Sequence, residues 1–418
     1  MSLTKFTQSS LLLVAGLAAL IATRPAQAQT ETILYTFCPS GFGCADGAIP
    51  NSPLTSDGKG NLYGATIIGG DAGQLCGCGT VFELSPNGSG GWNETVLYSF
   101  AGEAGGGAWP TGPLMFDSAG NLYGTALIDG TNGNGVVFEL SPGSAGASWT
   151  ETILYSFAGG TDGFFPTSGV IMDPAGNLYG TTLDGGSAGN GTVFELSPSG
   201  GGWAKQTIYN VDTSGYAGLT MDASGNIFGV SQSSVFELSP NGNGGWNPIV
   251  IHTFTSNKRG LKLATAPNGT LVFDKAGNLY GTRTGGGANN NGVVFELSPG
   301  KNGKWTEKSL YAFSGTDGDG AHPYAGIVFD AAGNIYGTTF GGGTYKDGTV
   351  FELVAPVGKG SYQEKVLWSF NGTDGEEPDY GLIVDSSGNL YGTTPYGDGN
   401  PNGACYEQGC GVAFEITP

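Results

Sequence analysis

The stretch G-N-L-Y-G-T-T-L-D-G-G-S-A-G-N-G-T-V-F-E-L-S-P, Gly176–Pro198, decides the fold. It holds two strand-like runs, residues 177–182 and 192–197, joined by a glycine-rich loop. Short runs of β-branched and aromatic residues between Gly, Asn and Pro clusters read as strands. Working outward, Gly169–Asp173 precedes the pair and Lys205–Val211 follows it. D-P-A-G-N is an Asx/Gly turn between the first two runs, and S-P-S-G-G-G-W is another between the last two.

This unit recurs. G-N-[LI]-[YF]-G occurs seven times, with its Asn at 61, 121, 177, 226, 278, 334 and 389. F-E-[LI] also occurs seven times, starting at Phe82, Phe138, Phe194, Phe236, Phe295, Phe351 and Phe414. A string like E-T-x-L-Y-S-F ends at Phe37, Phe100, Phe157, Val211, Phe254, Phe313 and Phe370. Four strands per 49 to 60 residues, seven times over, predict an all-β, seven-bladed β-propeller with four antiparallel strands per blade. A β-helix would show a shorter period. We letter the strands A to D from axis to rim, with A the G-[LIV]-x-x-D run. Residues 31–37 are of type D and residues 411–417 of type C, so the N-terminal strand is expected to close the last blade.

Composition agrees. Of 418 residues, 79 are Gly and 21 Pro, yet 39% are hydrophobic and only 12% charged. Disorder needs low hydrophobicity with high charge density, so this chain is turn-rich rather than unfolded. Bundles, coiled coils and collagen are excluded.

The string Gly176–Pro198 and its six relatives resemble the Gloeo/Verruco (GloVer) tandem-repeat family over nearly the whole chain after residue 28. The resemblance implies an exported bacterial repeat protein. It brings no defined activity and no catalytic residues. Some relatives carry a C-terminal sorting tail; the expectation here is none, because the sequence stops at Phe414-Glu415-Ile416-Thr417-Pro418.

Residues 1–28 read as a secretory signal peptide: Lys5, the 12-residue apolar run Leu11–Ala22, and the small-x-small site Ala26-Gln27-Ala28. The propeller is then residues 29–418, and the protein is expected to be secreted or periplasmic, a monomer without membrane insertion. Removing Lys5 and Arg24 leaves 13 basic and 35 acidic residues, a net charge of −22. Such a surface repels nucleic acid, so no nucleic-acid partner is expected. The six cysteines, Cys38, Cys44, Cys76, Cys78, Cys405 and Cys410, read as disulfides in an exported chain. Local pairing of Cys38 with Cys44 and of Cys405 with Cys410 is the first expectation, with cross-pairing between the loops an open alternative. They flank the ring closure, where staples would protect the seam.

Residues repeated in every unit point to structure. The strand C glutamates (Glu83, Glu139, Glu195, Glu237, Glu296, Glu352, Glu415) are dispersed, unlike the paired carboxyls of a glycosidase. The turn aspartates (Asp117, Asp173, Asp222, Asp274, Asp330, Asp385) are expected to bond their own turns, with calcium as the alternative ligand. Trp92, Trp149, Trp203, Trp246 and Trp305 recur before strand D and read as packing, with sugar stacking the alternative. His252 replaces a recurring Tyr and reads as packing too.

Function is expected in the departures, on the face carrying the D–A and B–C loops, called the top. The residue before the loop proline varies: Ile49, Trp109, Phe165, Ala266, His322 and Glu377. It could line the channel mouth. Lys258, Arg259 and Lys262 precede the fifth unit, and Arg283 replaces a Thr at the end of its strand B; this basic cluster would attract a carboxylate or sulfate. The leading reading is a non-enzymatic binding or surface-interaction module for an extracellular glycan, an acidic polymer or a protein partner. The rivals are a metal-dependent glycan lyase or lactonase-like hydrolase at the channel mouth, and a purely structural envelope protein. The enzyme would require Glu377, His322 and an Asp such as Asp317 or Asp374 within reach of one metal. No cofactor is expected.

Overall fold

The computed structural model describes residues 29–39, 43–70, 77–102, 106–143, 148–212, 217–254, 269–358, 360–398, 405 and 409–418. Seven small antiparallel sheets form a ring, a seven-bladed β-propeller with four strands per blade. The described residues contain no α-helix, and no helix long and apolar enough to cross a membrane.

Blade 3 shows why the repeat folds this way. Its strands are Phe164–Met172, Leu178–Asp184, Thr192–Ser199 and Gly202–Asn210, ordered A to D. Strand B pairs with C in unbroken register, from Leu178 opposite Leu196 to Thr182 opposite Thr192. That places Gly180 opposite Phe194, and a Cβ on Gly180 would sit 2.5 Å from the Phe194 ring. The second glycine of G-N-L-Y-G is therefore the seat of the F-E-L phenylalanine in the same blade. That phenylalanine also meets the strand D phenylalanine of the blade before. Phe37–Phe82, Phe100–Phe138, Phe157–Phe194, Phe254–Phe295, Phe313–Phe351 and Phe370–Phe414 have centroids 4.9 to 5.2 Å apart. Blade 4 lacks the partner phenylalanine, and Tyr209 takes its place against Phe236. These ring pairs recur around the molecule, one within the separate hydrophobic cluster at each junction between blades.

The A–B turn follows from its aspartate. Asp173 Oδ1 accepts from the Ala175 and Asn177 amides, and Oδ2 from the Asn177 side chain and the Tyr179 hydroxyl. Asp57, Asp117, Asp222, Asp274, Asp330 and Asp385 each accept from the amides two and four residues on. Trp92, Trp203, Trp246 and Trp305 lie at the start of strand D, and Trp246 and Trp305 pack on the neighbouring blade, on Tyr179 at 5.6 Å and on Phe228 at 6.1 Å.

Strand A departs from the expected run. In blade 3 it starts earlier, at Phe164, and its register breaks between Pro166 and Val170. In blades 4 to 7 only two residues pair: Thr220–Met221, Val272–Phe273, Val328–Phe329 and Ile383–Val384. Glycines interrupt the ladder where the chains crowd the axis; Gly169 takes φ +66° and a Cβ there would meet Pro113 O at 2.4 Å.

The ring closes through the N-terminal strand. Thr30–Thr36 pairs with Val412–Thr417 as the outer strand of blade 7, with Leu390–Thr394 and Ile383–Val384 following toward the axis. Cys38 is bonded to Cys44 and Cys405 to Cys410. Each pair staples its own loop, and the two loops pack together with Ala48 and Ile49 beside the seam. Cys78 is also in a disulfide, while Cys76 lies outside the described residues.

Candidate functional site

The variable residues before the loop prolines share one backbone state. Ile49, Trp109, Phe165, His322 and Glu377 have φ of 55 to 59°, the left-handed region that favours glycine. Each donates its amide to the preceding blade: Trp109 to Cys78 O, Phe165 to Asn134 O, His322 to Asn291 O and Glu377 to Asp347 O, at 2.7 to 3.0 Å. The following proline then lies over a glycine of that blade, as Pro378 does over Gly348. The device locks neighbouring blades together. Ala266 lies outside the described residues, as do Lys258, Arg259 and Lys262.

Locking the proline aims the next residue at the axis. Asn51, Thr111, Thr167, Tyr324 and Asp379 each follow such a proline, and all five line a cavity of about 430 Å³. All seven blades contribute to its wall; Gly218 comes from blade 4 and Gly269 from blade 5. Much of the wall is Gly, Ala and Pro, so polar groups are few. This is the form of a small-molecule site: a concave, largely apolar space with few placed polar groups.

Asp379 stands out among those groups. No hydrogen-bond donor among the described residues reaches its carboxyl, and its Oδ1 is buried without a partner. Burial, with Glu377 adding like-charge repulsion, pushes it up to about 7. Tyr380 beside it donates to Asn51 Oδ1 across the blade 7–blade 1 seam. Glu377 and Glu376 are also raised, first by burial and then by Asp347. Tyr324 lines the cavity and is 38% exposed, so it offers an aromatic face there.

The other expected residues are placed as follows. Arg283 is largely buried, with Nη2 2.9 Å from Glu307 and its guanidinium 4.8 Å from the centre of the Phe254 ring. His252 meets the same glutamate at 3.1 Å. His322 Nδ1 is 2.9 Å from Thr284 O. Asp374 accepts from Asn371 and Trp368. Asp317 is exposed and lines a separate cleft with Asp319, Tyr345 and Glu364. Glu377, His322 and these aspartates do not converge. Among the described residues the only group of three or more His, Cys, Asp or Glu with donor atoms within 4.8 Å is Cys38, Cys44 and Cys410, all in disulfides.

Asp379, Tyr324 and Tyr380 were not singled out by the sequence reading. The signal was one step away: the residue after the loop proline faces the cavity, and its amide-locked predecessor sets that direction.

Two solved structures share the architecture. The extracellular domain of a protein described as a hybrid two-component system from B. thetaiotaomicron superposes with a TM-score of 0.51 at 13% identity, covering 89% of this chain and 39% of that one. The chain thus spans well under half of that protein. A Bacteroides uniformis protein, provisionally described as a 6-phosphogluconolactonase, also gives 0.51 at 13% identity, covering 81% and 95%. At this identity the likeness is one of fold alone. No curated protein sequence matches the chain. The profile of the Gloeobacter/Verrucomicrobia repeat matches residues 19–173, 77–264, 147–319 and 231–417. With the repeat strings, the blades and these matches in agreement, the chain belongs to the Gloeobacter/Verrucomicrobia repeat family.

Proposed function

We propose that the chain is an exported, non-enzymatic binding module that takes one end of an extracellular glycan into its axial cavity. The carrying observation is Asp379, a buried carboxyl that lacks a donor among the described residues and lines that cavity. Buried polar groups are normally satisfied, and this one, unlike the orphaned glutamate oxygens at the blade junctions, lines a cavity where a ligand can complete the bonding. Hydroxyls of a sugar suit carboxyl, Thr and Asn acceptors, and Tyr324 offers a face for its ring. A basic-cluster site for an acidic polymer has less support, because Arg283 already carries Glu307. The signal-like residues 1–28 support export.

The test is a thermal-shift series of the purified protein with neutral, acidic and amino-sugar oligosaccharides. A ligand bound to the folded state alone raises the melting temperature. Gly381→Leu supplies the location: Gly381 lines the cavity, and its added Cβ would meet only Gly326 O, at 3.9 Å. The variant should fold normally and lose the shift. No shift with any glycan, or a shift kept in Gly381→Leu, contradicts the site. Breakdown of a bound glycan contradicts the non-enzymatic reading.

A further inference from the structure

The described groups around Asp379 are acidic, phenolic or neutral. Glu377 acts on it electrostatically, and Tyr324, Tyr380 and Tyr396 lie in its field. Lys205, Arg283 and Lys365, the Lys and Arg side chains in ion pairs among the described residues, are held elsewhere, by Asp162, Glu307 and Glu352. An anionic ligand here would add to the repulsion from Glu377. A neutral hydroxyl would donate one hydrogen bond and leave that repulsion in place. A cationic donor would satisfy the carboxyl and relieve the repulsion together. Charge-assisted bonds of that kind are about twice as strong as neutral ones. The aromatic face of Tyr324, which lines the cavity, adds attraction for a cation.

We propose that the group recognised by Asp379 is a primary ammonium, so that the cavity takes an amine-bearing ligand such as the free-amine end of an amino-sugar oligomer. This rests on the axial cavity being the binding site. The carboxyl is held unsatisfied until the ligand arrives, which makes Asp379 a cost to the empty protein. A structural carboxyl would behave in the opposite way.

The experiment uses calorimetric titration and thermal melts at pH 7, where Asp379 is partly ionised and the sugar amines stay partly protonated. The probes are the glucosamine trisaccharide, its N-acetylated counterpart and cadaverine. The expected result is at least tenfold tighter binding of the free-amine trisaccharide than of the acetylated one. Asp379→Asn should abolish the preference while raising the melting temperature of the empty protein. Equal or tighter binding of the acetylated sugar overturns the ammonium assignment and leaves the cavity reading standing. Binding by cadaverine alone keeps the ammonium and removes the sugar. A free-amine preference that survives Gly381→Leu removes the cavity, and the assignment with it. A lower melting temperature in empty Asp379→Asn shows that the carboxyl is structural and also overturns the proposal.

Discussion

A carboxyl and a strained backbone meet in three residues, Glu377-Pro378-Asp379. A non-glycine residue at φ +57° is uncommon, and the strain costs on the order of 1 kcal/mol or more. Glu377 also faces Asp347 and Asp379 across partly buried space. Replacing it with glycine removes both penalties. Glu377→Gly is expected to raise stability by roughly 1 kcal/mol in a urea titration. A loss of stability would show that the side chain, and not the backbone lock, holds the position. Asp379 carries the larger functional weight. The sequence does not mark it, because burial without a donor is a property of the closed ring and of no single unit.

At the scale of the blade, the aspartate turn and the blade junction make different predictions. Asp173→Ala removes the acceptor of four hydrogen bonds, from Ala175, Asn177 (two) and Tyr179. It should cost about 1–3 kcal/mol and leave binding unchanged, measured by denaturation and titration on the same sample. The junctions hold a second set of carboxyls. Glu31 faces Asp374, Glu94 faces Asp46 and Glu364 faces Asp319; burial first and the facing aspartate second push each glutamate up to about 7. The Oε1 of each is buried without a partner. The blade 2–blade 3 junction is the internal comparison. There Lys205 bonds Asp162 at 2.8 Å. Burial pushes that aspartate up, but the Ala158 amide and Lys205 hold it below the usual range. Carboxyls raised in the folded state bind protons more tightly there than in the unfolded chain. Their stabilisation is therefore present below about pH 4.5 and is lost as pH rises through about 7. The melting temperature should fall from pH 5.5 to pH 8. Glu94→Lys, which copies the Lys205 arrangement beside Asp46, should raise it at pH 8 by about 2 °C and reduce the slope. A flat profile in the unmodified protein would contradict this.

At the scale of the whole molecule, the fold was legible because seven copies of one pattern repeat each error-prone inference seven times. The aspartate turn and the closure by residues 30–36 follow from strings in register, whereas the phenylalanine–glycine seat emerges only from the pairing of strands B and C. The short A strands were less legible, since crowding at the axis, not propensity, ends their ladders. The site was less legible still. It is assembled from residues roughly one blade apart in sequence, and its chemistry comes from what their neighbours fail to supply. Closure makes a further prediction. Deleting residues 30–36 uncovers the edge of Val412–Thr417 and removes the strand leading to Phe37, which packs on Phe82. The truncated chain should lose its single cooperative melt and associate on size exclusion. A monomer melting cooperatively at the original temperature would rule out the closing role.

The central claim is that the ligand sits on the axis, against Asp379. A crystal structure of the protein with the tightest-binding oligosaccharide tests it most directly. The account predicts density inside the ring cavity, with a ligand donor within hydrogen-bonding distance of the Asp379 carboxyl. Ligand density on the tryptophan-bearing face or along a blade edge, with the axial cavity empty, would contradict it.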